Sequence, residues 1–236
     1  MQGGVAAAEP AWSAQRRAMV DGQIRTFDVT DARVIRAFDI VPRERFVPDE
    51  LRTLAYSDAS LVLKPRRQGG ASRVLIQPMH LARMLQGAAP RPEHRVLVVA
   101  GETGYAACLL AELAAHVVSL ESDPDLTAEA TTHGAELGLG KVEAVTGDLA
   151  AGWTSLGPYD LIVVQGAIET HLDKLFAQLV PGGRLVAIET SLSIHGRHTG
   201  RAMLYQPVGN DVSGRALFDA TAPVLPEFRL APAFVF

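Results

Sequence analysis

The chain has 236 residues, 48% of them hydrophobic and 20% charged, which leaves room for one globular domain with a sizeable core, or such a domain plus an extension. A net charge of -4 gives no basic footprint, so nucleic acid is not an expected partner. One cysteine, Cys108, excludes an intrachain disulfide, and no apolar run reaches the length of a membrane span, so a cytoplasmic protein with no membrane partner is expected.

Residues 1–12, "MQGGVAAAEPAW", form a small-residue tail with little reason to order. From Ser13 the pattern is helical, with Met19, Val20 and Ile24, then Val34, Ile35 and Phe38, at three- and four-residue intervals. Thr30 is the expected N-cap of the second helix, and Pro42 ends it. "VPRERFVP" reads as a short helix and "LRTLAYSDASLVL" as an extended segment. A basic, glycine-bearing loop, "KPRRQGGASR", precedes a helix over "QPMHLARMLQGA" with Met79, Leu81, Ala82, Met84 and Leu85 inward.

After Pro92 the texture changes. Short Val/Leu/Ile runs ("RVLVVA", "HVVSLES", "VEAVTGD", "YDLIVVQGA", "GGRLVAIET") alternate with helical patterns ("AACLLAELA", "PDLTAEATTHGAELG", "THLDKLFAQLV"). Such alternation defines an α/β fold, a doubly wound parallel sheet flanked by helices. "RAMLYQPVG" and "RALFDATAPVLPEF" add two strands at the end. The expected organisation is a tail at 1–12, a helical cap with the basic loop at 13–74, and a Rossmann-like domain at 75–236. Cys108 falls in an apolar helical pattern and reads as a buried spacer. The seven histidines show no metal-ligand spacing, and "HGRH" at 195–198 reads as an exposed loop.

Ligands of doubly wound sheets bind beyond the carboxyl ends of the strands. Three features fall there: the glycine turn at 100–104, Glu121 at the end of "HVVSLE", and Asp148 in "VTGDLAAGW". A carboxylate in the place of Glu121 accepts hydrogen bonds from a ribose diol, and an acid in the place of Asp148 accepts one from an adenine amino group. This order resembles class I S-adenosylmethionine-dependent methyltransferases, and "LVPGGRLVAIE" is similar to a later motif of that superfamily. "AMVDGQI", "DARVIRAFDIVPRERFVP", "LAYSDASLVL", "QPMHLARML", "ETGYAACLLAEL" and "TGDLAAGW" narrow the resemblance to the protein-L-isoaspartate O-methyltransferase family, from about residue 16 through the sheet.

The resemblance implies methylation of isoaspartyl carboxylates in damaged proteins, with S-adenosylmethionine as cofactor. It assigns cofactor contacts to Gly101, Gly104, Glu121, Asp148, Leu149 and Gln165, and catalytic candidates to Asp58 and Gln77. The chain departs from the family pattern where Val98 replaces a strand acid, where Ala100 and Glu102 replace two of three glycines, and where Ile76 replaces a serine. Glu102 brings bulk and charge into a turn that otherwise offers bare backbone. The loop residues Lys64, Arg66, Arg67 and Arg73 read as a solvated surface or as a site for an anionic ligand. Glu169 is expected to open the next helix. Three readings follow: an active isoaspartyl methyltransferase, a degenerate or repurposed binding module, or a methyltransferase with another acceptor. None specifies an oligomeric state.

Overall fold

The structure is a computed structural model that describes residues 8–64, 72–192, 198–209 and 211–230. Helix α1 (Ala8–Met19) begins at Ala8, inside the expected tail, and continues through a π-helical turn at Val20–Ile24. Helix α2 (Ala32–Ile40) is capped by Asp31, whose side chain accepts from the Arg33 N–H at 2.8 Å. The expected cap, Thr30, instead donates its backbone N–H to the Gln86 side chain at 2.6 Å. Short 3-10 helices follow at Arg43–Phe46 and Asp49–Leu54. The basic loop is flanked by two strands, β1 (Leu61–Lys64) and β2 (Arg73–Leu75), which pair antiparallel as a small separate sheet. Helix α3 (Pro78–Ala88) starts with proline in its first turn, where a missing N–H costs nothing.

The main sheet is built from β3 (Arg95–Val99), β4 (His116–Glu121), β5 (Val142–Thr146), β6 (Tyr159–Ile168), β7 (Leu179–Leu192), β8 (His198–Val208) and β9 (Asp211–Asp219). Its order is β5-β4-β3-β6-β7-β8-β9, with the first five parallel and the last two antiparallel. Helix α4 (Tyr105–Ala111) links β3 to β4, and α5 (Pro124–Glu136) links β4 to β5. The chain then crosses to the other side of β3, so the switch point lies between the carboxyl ends of β3 and β6.

One expected helix is nearly absent. "THLDKLFAQLV" forms only α6 (Asp173–Phe176). The Gln178 side chain, buried, donates to the Ala151 and Lys174 carbonyls at 2.8 Å and accepts from Trp153 N–H at 2.9 Å. Leu179 already pairs with Tyr159 in the sheet, so the chain leaves the helix early. Glu169 does not open a helix. Its carboxylate accepts the Leu230 N–H at 2.8 Å and anchors the C-terminal segment.

Hydrophobic residues of the cap join those on one sheet face in a single cluster, including Phe38, Phe46, Ile76, Tyr105, Val98 and Ile188. The opposite face is covered partly by the returning C-terminal segment through Leu225 and Phe228. Cys108 is a buried spacer, and burial pushes its thiol up to about 12. Of the "HGRH" reading, residues 195–197 lie outside the described residues. Among the described residues, no helix is long and apolar enough to cross a membrane.

Phe46 joins cap to sheet: its ring lies 5.3 Å from Tyr105 and 4.8 Å from His133, and it is fully buried. Phe46→Ala is expected to lower stability by about 3–5 kcal/mol, read as a lower urea midpoint with an unchanged slope.

Candidate cofactor and acceptor site

The turn after β3 keeps a glycine-loop shape with few glycines. Ala100 (φ 57°), Glu102 (φ 54°) and Gly104 (φ 94°) are all left-handed, at a cost of about 1–2 kcal/mol for each residue that is not glycine. Gly101 lets the turn lie close to β4: a Cβ there would fall on the Ser119 hydroxyl, which would have to rotate away. Its N–H donates to the Leu120 carbonyl at 2.9 Å, holding the turn against the neighbouring strand. A Cβ on Gly104 would meet Ala130 of α5 at 3.0 Å. Val98 is fully buried in the core.

Glu121 closes β4 with its side chain buried, as the sheet register dictates. Its carboxylate accepts from Arg73 Nε at 3.1 Å to each oxygen and from Arg73 Nη2 at 2.9 Å. It also accepts the backbone N–H of Ser122 (2.7 Å), Asp123 (3.1 Å) and Glu102 (3.2 Å). The position expected to bind a ribose is therefore filled by the chain itself. Burial works against the Arg73 cation, but the hydrogen bonds and charge of Glu121 outweigh it and hold the guanidinium above its ordinary range. Lys64 pairs with Asp123 and, at 3.4 Å, with Asp125. Lys64 and Arg73 are thus engaged by carboxylates and are not free for an added anion; Arg66 and Arg67 lie outside the described residues.

Glu102 is 2% exposed, and its Oε1 has no hydrogen-bond partner. Burial raises its carboxyl well above the usual range, the Glu121 charge raises it further, and Arg73 and Arg43 oppose. Arg43, fully buried, donates to the carbonyls of Ala55 and Ile76 at 2.8 Å each and lies 4.9 Å from the Tyr105 ring centre. It thereby fixes "AYSD" and the segment carrying Ile76, whose own side chain is buried.

The other expected residues divide. Gln165 sits where the pairing of β6 with β7 shifts register, buried, with neither amide atom partnered. Asp148 is exposed and caps its own turn, accepting from Ala150 N–H at 2.9 Å, while Leu149 is core. Gln77 is the N-cap residue of α3, its N–H donating to the Ser60 hydroxyl at 3.1 Å, and Asp58 is exposed. Asp58 acts electrostatically on His80, whose imidazole is nonetheless lowered, first by burial and then by Arg83. His80 lines a cavity of about 700 Å³ with Glu189, Thr190, Arg201 and Asp219, beside the carboxyl end of β7.

Sequence reasoning missed His80, Arg43 and the internal engagement of Arg73. His80 carried a signal, lying three residues after Gln77 on the first helical turn. Arg43 carried none, since charged residues are rarely this buried.

A cofactor placed here would meet a fitting turn backbone, the unpartnered amide of Gln165 and the exposed carboxylate of Asp148. It would not find Glu121 able to accept a ribose while Arg73 is paired to it. The residues fit S-adenosylmethionine only with Arg73 displaced.

A doubly wound sheet with a ligand turn after its first strand, an acid after the second and an antiparallel hairpin at one edge defines a Rossmann-like methyltransferase fold. The profile of the protein-L-isoaspartate(D-aspartate) O-methyltransferase family matches residues 14–193, and the chain belongs to that family. It is 42% identical over 172 residues to protein-L-isoaspartate O-methyltransferase 2 of Anaeromyxobacter sp. (strain Fw109-5), covering 73% of this chain and 68% of the relative. It is 40% identical over 173 residues to protein-L-isoaspartate O-methyltransferase of Methanoculleus marisnigri, covering 73% and 76%. A solved protein-L-isoaspartate O-methyltransferase superposes with TM-score 0.75 at 25% identity over 88% of this chain, which spans 64% of that longer one. A Plasmodium falciparum structure, described as a putative member in complex with S-adenosyl-L-homocysteine, shares the fold with TM-score 0.71 at 15% identity, covering 91% of this chain and 97% of that one.

The raised carboxyl of Glu102 has a sign. A group whose folded pKa exceeds its unfolded value contributes stability that is complete below the ordinary value of about 4.3 and is lost as pH rises toward the folded value. Facing it are Glu121, Arg73 and Arg43. Glu102→Gln is therefore expected to raise the melting temperature above wild type by a margin that widens from pH 5 to pH 8. A margin independent of pH would show that the buried carboxyl is ionised throughout this range, as in the unfolded chain.

Proposed function

We propose that the protein transfers a methyl group from S-adenosylmethionine to the carboxylate of isoaspartyl residues in proteins or peptides. The observation that carries this reading is the match to the isoaspartyl methyltransferase family over residues 14–193, which includes both the ligand turn and the acceptor-side segment at 55–77. S-adenosylmethionine, when bound, supplies a methyl group activated by a positive sulfur. The protein needs no strong base for such a transfer, because an ionised carboxylate is already the nucleophile; positioning and exclusion of water supply the rate.

Gly101 and Gly104 shape the cofactor side, with Glu121, Asp148, Leu149 and Gln165 as its contacts once Arg73 has moved. On the acceptor side, Asp58 and Gln77 stand beside the first turn of α3, with His80 lining the cavity. The imidazole is held low, so at neutral pH His80 presents an uncharged ring to an extended peptide. Arg43 supports this side from beneath by holding the Ile76 carbonyl. With Ile76 in place of a hydroxyl side chain, the acceptor carboxylate takes its hydrogen bonds from other groups.

A second reading has specific support. Val98 in the core, Glu102 in the turn and the pairing of Arg73 with Glu121 favour a family member retained as a binding module. Radiolabelled methyl transfer separates the two. Label is expected on an isoaspartyl peptide and not on the same peptide with ordinary aspartate. Transfer to neither, by a folded protein that binds S-adenosylhomocysteine, would move the assignment to another acceptor; absence of binding as well would favour the module.

A further inference from the structure

Glu121 has two oxygens with about four lone-pair directions, and its donors already crowd them. Three of its partners are backbone N–H groups of Glu102, Ser122 and Asp123, fixed by the turn and by the start of α5. The Ser122 hydroxyl is a fourth, local donor at 3.3 Å, and the one partner brought from elsewhere in the fold is removable: the Arg73 side chain on β2, delivered by another sheet. A guanidinium presents two parallel N–H donors to a carboxylate, as a ribose presents two neighbouring hydroxyls. The two cannot be accepted together.

Resting on the cofactor reading above, we propose that Arg73 is a built-in competitor of the cofactor, occupying on Glu121 the place of the ribose diol, so that a nucleoside binds only as Arg73 leaves. The structure also supplies a destination. Glu227, on the returning C-terminal segment, has Oε1 3.9 Å from Arg73 Nη2, while its Oε2 is buried and without a partner. Ser122 Oγ lies between them, accepting from Arg73 Nη2 at 2.8 Å and standing 3.4 Å from Glu227 Oε1. A short swing would pass the guanidinium from one carboxylate to the other without exposing an unpaired charge. Arg73 would thereby set cofactor affinity without touching the reacting atoms, as a specificity-determining residue.

The test is titration calorimetry of the full chain with S-adenosylhomocysteine, comparing wild type, Arg73→Gln and Glu227→Gln. Arg73→Gln is expected to bind at least tenfold more tightly than wild type, and Glu227→Gln several-fold more weakly, because the displaced guanidinium loses its second partner. Equal affinity of wild type and Arg73→Gln would overturn the competitor alone. Binding by none of the three would overturn the cofactor reading, and the competitor with it. Should Arg73→Gln fail to fold, the wild type decides by NMR of its arginine Nε–H signals. The Arg73 signal is expected to shift at saturating S-adenosylhomocysteine, and an unchanged signal would overturn the proposal.

Discussion

A buried carboxylate with a guanidinium laid across it organises the ligand edge of this protein. Glu121 is 1% exposed and Arg73 6%, so neither charge is solvated and each depends on the other. Removing one partner of such a pair costs about 3–5 kcal/mol because the remaining charge is stranded. The constraint reaches well beyond two residues. It ties the small β1–β2 sheet to the end of β4, and Lys64 on the same small sheet repeats the attachment at Asp123 and Asp125. Glu227 brings the C-terminal segment to the same point. The three parts of the chain that border the ligand turn thus meet at the Arg73 guanidinium.

Arg43 is the counterpart on the acceptor side. It lies fully buried between the cap and α4, and burial lowers its pKa while Tyr105, Glu102 and Tyr56 oppose that shift. An arginine keeps its proton even so, and the surroundings must accommodate a permanent cation. The carbonyls of Ala55 and Ile76 do part of this, Tyr105 does more, and Glu102 adds to it only when its carboxyl is ionised. The acid in the turn and the cation beneath the acceptor segment are therefore electrostatically linked, so a substitution at either will be felt on both sides of the cleft.

Much of the fold was legible in the sequence because the sheet obeys periodicity. Continuous Val and Leu runs marked β3, β4 and β6, which are buried on both faces. Two of the failures lie where tertiary hydrogen bonds override pattern: Gln178 shortens α6, and Thr30 is drawn to Gln86 while Asp31 caps α2. Helix also extends back to Ala8, which the small-residue composition did not suggest. Within the site, Glu121 and Gly101 could be placed from spacing alone, since both sit at strand ends. That Arg73 would turn inward onto Glu121 could not. A basic residue beside glycines reads as solvated, and only the pairing of two strands far from Glu121 in sequence brings it there.

The ligand turn separates two demands that glycine usually meets together. Its left-handed backbone survives at Ala100 and Glu102, held by the bond from Gly101 N–H to Leu120 and the one from Gly104 N–H to the Gly101 carbonyl. Glycine stands at Gly101, packed against Ser119, and at Gly104, where a left-handed backbone and close contact with Ala130 coincide. Ala100 and Glu102 take the two positions where the requirement is conformational and tertiary contacts can bear the strain. The loop therefore has the shape of a glycine turn with a lining of side chains, a buried carboxyl set among two arginines and a second acid. Shape follows from the fold, whereas affinity follows from how those four ionisable groups are arranged when a ligand arrives.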